Sequence, residues 1–148
     1  MIKNKIIIVD NEPLILDLIK EMLDEEAEFE VSHITATKEG FMQLIEQHSL
    51  DVAVVDISIG EREDGIDILQ LLEKRQVKLP TIVLSAHSEI DYALKCLQAG
   101  AKGYINKSQI CSSLLQALKT VCSGDFFIAG ERGPDILKKY KKSLISPR

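Results

Sequence analysis

The sequence has no uninterrupted apolar stretch approaching ~18 residues and no charged-then-apolar leader, so nothing in it predicts a membrane-spanning helix or a secretory signal. Positive charge is also scarce, because 18 Lys and Arg residues stand against 23 Asp and Glu residues and leave a formal net charge of −5. Such a chain has no general attraction to phosphate backbones or anionic membranes. We therefore expect a cytoplasmic protein that does not bind DNA through these residues alone.

Cysteine is equally sparse. Cys96, Cys111 and Cys122 are odd in number and lack CxxC spacing, which argues against a disulfide framework and against a CxxC-type metal or redox site. All three lie in segments of helical pattern. We predict that they are reduced thiols packed in the core.

The length and composition fit one compact domain, with 148 residues of which 45% are hydrophobic. Short β-branched runs alternate with segments of helical period, and these runs predict strands at residues 5–9, 29–34, 52–55, 81–84 and 102–105. The first and third runs are continuously apolar, which is typical of strands buried on both faces of a parallel sheet. The pattern predicts an α/β fold of five strand–helix units, (βα)5, with helices on both faces of a doubly wound parallel sheet.

Local signals mark the ends of three predicted helices. Pro13 suits the first turn of the first helix. The sequence SEID at residues 88–91 has the form of a capping box that opens the fourth helix. Gly124 can supply a left-handed stop to the fifth helix.

Polar residues follow the predicted strands where each one ends. Asp10 and Asn11 follow the first strand, Asp56 the third, Ser85 the fourth and Lys107 the fifth. In an open parallel sheet, ligands bind outside the carboxyl ends of the strands. We therefore predict that these five residues converge on one site.

The chemistry of this set can be inferred from the residue types. Clustered carboxylate and amide oxygens repel one another unless a hard cation joins them, and Mg²⁺ is the natural cation for few protein ligands. Asp56 on the middle strand is then a carboxylate held beside a metal, which suits a phosphoryl acceptor. Lys107 and Ser85 offer a positive charge and a hydroxyl to an incoming phosphoryl group.

Four segments of the chain resemble the receiver domains of two-component response regulators. They are IIIVDNEP, VVDISIGEREDGIDIL, TIVLSAHSE and GAKGYINK, and the resemblance covers residues 5–123. It implies a flavodoxin-like fold with strand order 2-1-3-4-5, an order that comes from the known receivers and not from the pattern. It also implies a phosphoryl group received from a sensor histidine kinase.

The resemblance assigns a role to each residue of the predicted site. Asp56 is the phosphoacceptor, and Ser85 and Lys107 contact the phosphoryl group. Tyr104 takes the place of the aromatic residue that reports the switch, and we expect it to turn from an exposed rotamer to a buried one when a phosphoryl group draws Ser85 towards the acceptor. Mg²⁺ is expected at Asp10, Asn11, Asp56 and the backbone carbonyl of Ser58.

The sequence departs from the usual receiver pattern at three places. Asn11 replaces the second acid of the usual pair, so we expect weaker Mg²⁺ binding. The loop at residues 57–64 is one residue longer than the common form and lacks its proline, which bears on the role of Gly65. Ser108 replaces the usual proline after Lys107, so a trans peptide bond is expected there.

The tail resembles the segment that joins receiver to output in the LuxR-type (NarL/FixJ) subfamily. It predicts a short helix at residues 134–140, and SLISPR resembles the opening of a helix-turn-helix domain whose remaining helices do not follow. We assign residues 1–124 to the receiver domain and 125–148 to a linker helix and the start of an output domain. The basic run Lys138, Lys139, Lys141 and Lys142 is interpreted as a solvated helix face.

These observations predict a Mg²⁺-dependent phosphoacceptor switch that regulates transcription through a DNA-binding domain beyond this chain and that can dimerise on phosphorylation. It would not be an enzyme beyond accepting phosphate from small donors and losing it again. A receiver-like interaction module that works without phosphorylation stays open because of Asn11. An aspartate-based phosphohydrolase is less favoured, since Ser58 stands where a second acid is expected, and a flavodoxin-like cofactor binder lacks the phosphate loop.

Overall fold

The computed structural model describes residues 2–58, 64–86 and 90–145 of the chain. Its strands are β1 (Asn4–Val9), β2 (Phe29–Thr35), β3 (Val52–Asp56), β4 (Thr81–Ser85), β5 (Gly103–Asn106) and β6 (Phe127–Ile128). Its helices are α1 (Pro13–Asp24), α2 (Lys38–Gln47), α3 (Asp64–Lys74), α4 (Ile90–Gln98), α5 (Ile110–Cys122) and α6 (Gly133–Ile145), with a 3₁₀ turn at Lys107–Gln109.

The strands form one parallel sheet in the order β2-β1-β3-β4-β5-β6. The predicted order 2-1-3-4-5 is therefore confirmed, and the flavodoxin-like fold with it. The sixth strand was not predicted. It has two residues, Phe127 and Ile128, which is too short a run for a period-2 pattern to reveal.

The two faces of the sheet bury alternate residues of the central strands, as the pleat requires. Ile6, Ile8, Val52 and Val54 pack on one face with α1 and α5. Ile7, Val9, Ala53 and Val55 pack on the other face with Phe41 of α2 and Ile68 of α3. This double burial explains why the sequence of these strands is continuously apolar.

Most of the predicted helix ends are confirmed. Helix α1 begins at Pro13, and Gly124 adopts a left-handed φ of +97° just after α5. Residues 87–89, which include the first two residues of the predicted capping box, lie outside the described residues. Among those described there is no cis peptide bond, so the Lys107–Ser108 bond is trans as predicted.

The cysteine prediction holds only in part. No disulfide links the three cysteines within the described part of the chain, and Cys96 of α4 is buried in the core. Cys122 is half-buried, and burial raises the pKa of its thiol. Cys111 is exposed on α5, so its predicted place in the core was wrong. It lies next to the buried Ile110, on the solvent side of the helix.

The chain after α5 returns to the sheet instead of leaving it. β6 pairs with β5, with Tyr104 beside Ile128, and α6 then packs against α4. Ile136 and Tyr140 of α6 are buried in this contact, and the Tyr140 hydroxyl donates a hydrogen bond of 3.2 Å to the carbonyl of Leu97. The helix is longer than the predicted 134–140, and its four lysines in the basic run are exposed, as expected of a solvated face.

No helix among residues 2–58, 64–86 and 90–145 is long and apolar enough to cross a membrane.

Gly133 provides a test of how firmly α6 is attached. A Cβ atom at this position would lie 2.1 Å from the carbonyl oxygen of Ile128, too close for the helix to keep its place. We expect Gly133→Ala to destabilise the protein by about 1–3 kcal/mol, the usual cost of overpacking. The comparison variant Leu144→Ala, at an exposed position of the same helix, should stay within about 0.5 kcal/mol of wild type. Urea unfolding measures both, and equal stabilities would contradict the tight contact.

Candidate phosphoacceptor site

The carboxyl ends of four parallel strands bring the predicted site residues to one edge. Asp56 is the last residue of β3 and Ser85 the last of β4, while Asp10 directly follows β1 and Lys107 directly follows β5. The strand register aligns these ends, since Val9 pairs with Val55, Asp56 with Leu84 and Ser85 with Asn106.

Asp56 accepts hydrogen bonds on both carboxylate oxygens. The Nζ of Lys107 donates to Oδ2 at 3.0 Å, and the backbone N–H of Ser58 donates to Oδ1 at 3.0 Å. Its side chain is only 3% exposed. The carboxylate is therefore fixed in place at the centre of the site.

Lys107 bridges two acids. Besides Asp56, its ammonium group pairs with the carboxylate of Glu12 at the start of α1. Burial alone would lower the pKa of Lys107, but hydrogen bonds to Glu12 and to Asp56 outweigh it, so the pKa of this lysine is raised. The lysine therefore stays charged, and an anionic group bound at Asp56 would need this positive charge beside it.

The backbone around Lys107 is held by its own capping box. The Asn106 side chain accepts a 3.0 Å hydrogen bond from the backbone N–H of Ser108, and the Gln109 side chain accepts one of 3.3 Å from the backbone N–H of Asn106. Because the turn is tied at both ends, the lysine leaves β5 in a defined direction.

Asp10 lies in a less favourable setting. Its Oδ1 accepts a 2.8 Å hydrogen bond from the backbone N–H of Glu12, whereas its Oδ2 is buried and has no hydrogen-bond partner among the described residues. Burial raises the pKa of Asp10, and the nearby Asp56 charge adds to this, although the Glu12 N–H acts in the opposite direction. An unpartnered carboxylate oxygen next to another acid is costly.

These features fit a hard cation. Ligand atoms of Asp10, Glu12 and Asp56 lie within 4.8 Å of one another. Three carboxylates at that spacing form the oxygen-rich donor set that Mg²⁺ prefers, and the buried oxygen of Asp10 lacks the partner that a cation would supply.

The remaining predicted residues are placed less directly. Asn11 is exposed beside Asp10, and Ser58 contributes its N–H to Asp56, so the metal-binding roles of the Asn11 side chain and the Ser58 carbonyl stay predictions.

Gly65 donates its N–H to the carbonyl of Ile57 at 3.3 Å. A Cβ at Gly65 would lie 2.6 Å from the Cα of Ile57, so glycine is needed at this end of the long loop even though residues 59–63 lie outside the described part.

Ser85 is fully buried at the end of β4, and Tyr104 lies one strand away on β5. Tyr104 is only 4% exposed, although we expected an exposed starting position for a switch residue. The reason is that β6 and α6 cover this face, with Ile128, Ile136 and Tyr140 in the same apolar cluster as the Tyr104 ring. A cavity of about 390 Å³ next to Tyr104 extends to the loop before α6.

Glu12 is the site residue that the sequence pattern indicates most weakly. Its position after Asp10-Asn11 predicts a favourable charge at the start of α1, with a substitute metal ligand as a remote alternative, and the structure places Glu12 at the start of α1 as the N-terminal cap residue. No local pattern indicates that its side chain reaches across the site to Lys107, because that contact joins residues 95 positions apart.

The sequence profile described as "Response regulator receiver domain" matches residues 6–119. Among curated proteins, the chain is 29% identical over 140 residues to the transcriptional regulatory protein DegU of Brevibacillus brevis, covering 95% of this chain and 59% of that one. It is 28% identical over 142 residues to the DNA-binding transcriptional activator EvgA of Escherichia coli K12, covering 95% and 65%. The chain thus spans less than two thirds of the length of these relatives.

A solved structure shares the fold across nearly the whole chain. The two-component response regulator of the LuxR family from Aurantimonas sp. SI85-9A1 superposes with a TM-score of 0.80 at 21% identity, covering 98% of this chain and 100% of that one.

The unpartnered oxygen of Asp10 gives a prediction about stability without metal. The Asp10 carboxyl group is buried beside Asp56, so Asp10→Asn should stabilise the protein in EDTA by about 1 kcal/mol, because the amide oxygen can keep the Glu12 N–H bond and the amide carries no charge. Asp17→Asn, at an exposed position of α1, serves as the control and should change little. Thermal melts in EDTA would contradict this account if Asp10→Asn were the less stable of the two.

Proposed function

Since the chain belongs to the response regulator receiver domain family, we propose that it is a signalling switch that accepts a phosphoryl group on Asp56 from a sensor histidine kinase in a Mg²⁺-dependent reaction. The observation that carries this proposal is the buried Asp56 carboxylate held 3.0 Å from the Lys107 ammonium, at the point where the strand ends converge. The transfer forms a bond between an Asp56 oxygen and phosphorus and breaks the bond from phosphorus to the donor nitrogen of the kinase.

Each residue of the site has a separate role in the proposed transfer. Lys107, already hydrogen-bonded to Asp56, would move its ammonium group to a phosphoryl oxygen, and the Ser85 hydroxyl would donate to another. The Ser58 N–H keeps the acceptor carboxylate oriented. Asp10 and Asp56, with the Asn11 side chain and the Ser58 carbonyl, are proposed to hold Mg²⁺, which neutralises charge on the phosphoryl oxygens when bound.

The output is proposed to be regulation of transcription. DegU and EvgA are named as transcriptional regulators, and EvgA as DNA-binding, which supports the same role here. Because this chain has a net charge of −5, we assign contact with DNA to a separate C-terminal domain. Residues 125–148 are assigned to the linker and the start of that domain. A cytoplasmic location, a kinase partner and a regulatory role without further enzymatic activity complete the proposal.

Two alternatives rest on particular residues. The interaction module that works without phosphorylation rests on Asn11, which lacks the charge of a second acid. The phosphohydrolase is less favoured, because a hydrolase of this kind places a second acid two residues after the acceptor, where Ser58 stands, and its N–H is already used to orient Asp56.

Treatment with acetyl phosphate and Mg²⁺ should add the mass of one phosphoryl group. The variant Asp56→Asn should abolish this addition, because among the described residues Asp56 is the buried carboxylate that contacts the Lys107 ammonium. The control variant Asp91→Asn, an exposed acid of α4, should be phosphorylated like wild type. Intact mass spectrometry decides the matter, and a phosphorylated Asp56→Asn protein would remove the acceptor assignment.

The switch is proposed to run from Ser85 to Tyr104. If phosphate draws the Ser85 hydroxyl towards Asp56, space opens beside β4, and the Tyr104 ring can move within the cavity that it lines. Because this ring packs against Ile128 and α6, its movement would change the surface formed by α4, β5 and α6. That altered surface is proposed to favour a homodimer.

Ser85→Ala removes the hydroxyl that would respond to the phosphoryl group. A hydrogen bond to a charged group contributes about 1.5–3 kcal/mol, so the phosphate-dependent gain in dimer affinity should fall by roughly tenfold or more. The fold should be affected less, and Ser112→Ala, at an exposed position of α5, should dimerise like wild type. Light scattering with and without phosphodonor tests this, and an unchanged gain in the Ser85 variant would contradict the proposed route.

A further inference from the structure

Glu12 occupies a position from which its side chain can serve two partners. Its backbone caps α1, its side chain is 51% exposed, and its carboxylate reaches Lys107 while lying within the acidic cluster. We propose that Glu12 is a movable carboxylate that holds Lys107 in the metal-free protein and turns to the cation when Mg²⁺ binds, supplying the charge that Asn11 lacks. This inference rests on the proposed function, since it concerns the same site.

The charge balance of the site supports the first half of the inference. Asp10, Glu12 and Asp56 bring three carboxylates within 4.8 Å, and the Lys107 ammonium is the cation that contacts two of them among the described residues. Asp10 has an oxygen that is buried without a partner, so one ammonium group does not satisfy the cluster. A divalent cation would partner Asp10 and leave Lys107 with less negative charge to neutralise.

The departure at Asn11 supports the second half. An amide oxygen can face a cation but brings no formal charge, so Asp10 and Asp56 alone would supply two negative charges. Glu12 stands one residue further along, and its backbone N–H bonds to Asp10 at 2.8 Å, which keeps the start of its side chain beside the site. Its exposed, flexible chain can then change direction at small cost, unlike the buried Asp10.

The position of the Glu12 side chain determines which groups Lys107 can contact. As long as Glu12 holds the ammonium, a phosphoryl group on Asp56 competes with a carboxylate for it. When Glu12 turns to the cation, the lysine is released to the phosphoryl oxygens. Metal binding would therefore prepare the site for phosphorylation by removing a competitor as well as by adding charge.

The test measures Mg²⁺ affinity by isothermal titration calorimetry on the full chain, without phosphodonor. Glu12→Gln removes the charge, and Glu12→Asp keeps the charge but shortens the reach by one methylene group. If Glu12 is a ligand, both variants should bind Mg²⁺ about tenfold more weakly than wild type, or about 1.4 kcal/mol. Glu21→Gln, at an exposed position of the same helix, should bind like wild type.

The outcomes separate a ligand from a distant charge. Wild-type affinity in Glu12→Asp with weak binding in Glu12→Gln would mean that only charge matters, and this would overturn the inference, as would wild-type affinity in both variants. Circular dichroism checks that each variant is folded, which we expect for a half-exposed position.

A rescue variant gives an independent readout. Adding Asn11→Asp to Glu12→Gln should restore the lost affinity, because it returns the missing acid at the neighbouring position; no recovery would count against the exchange of roles. A wild-type protein that showed no Mg²⁺ binding would overturn the proposed Mg²⁺-dependent switch itself. Normal wild-type binding with unaffected Glu12 variants would overturn the inference alone.

Discussion

The contact between the Lys107 ammonium and the Asp56 carboxylate is the interaction on which the rest of the site depends. The Asp56 side chain is almost fully buried, so loss of the Lys107 ammonium would leave a buried carboxylate without its cation partner, which is strongly destabilising. Their meeting needs β3 and β5 to end at the same edge, which a parallel sheet with a fixed register provides. The apolar strands thus have two tasks, to form the core and to set the distance between two charges far apart in the chain.

The site also shows why its residues need one another. Asp56 is oriented by the Ser58 N–H and by Lys107, Lys107 is directed by the capped turn after β5, and Asp10 is tied to the first turn of α1. What this network does not satisfy is the second oxygen of Asp10. Hydrogen bonds thus hold the Asp56 carboxylate and the turn that carries Lys107, while the buried oxygen of Asp10 has no partner among the described residues, which suits a site that binds a cation.

Much of this arrangement could be predicted from the sequence, because buried parallel strands have a distinctive apolar pattern and their polar end residues stand out against it. Asp10, Asp56, Ser85 and Lys107 were located in this way. The sequence could not reveal the Glu12–Lys107 pair, since it depends on side-chain direction across the site, nor the exposure of Cys111, since a single helix position next to a buried one is ambiguous. The burial of Tyr104 depends on β6 and α6. The strand β6, which pairs with β5, is too short for a periodic pattern to predict it.

The attachment of α6 has a mechanical consequence. The helix has 13 residues, and at 1.5 Å per residue it is about 20 Å long. It is anchored near its start by Gly133 and Ile136 and midway by Tyr140, while Leu144 and Ile145 at its far end are exposed. A tilt of about 5° at the anchored end would shift the free end by about 2 Å on that length. If the proposed movement of the Tyr104 ring tilts this helix, its exposed end would move further than the ring itself, so a neighbouring protein surface would meet the larger displacement.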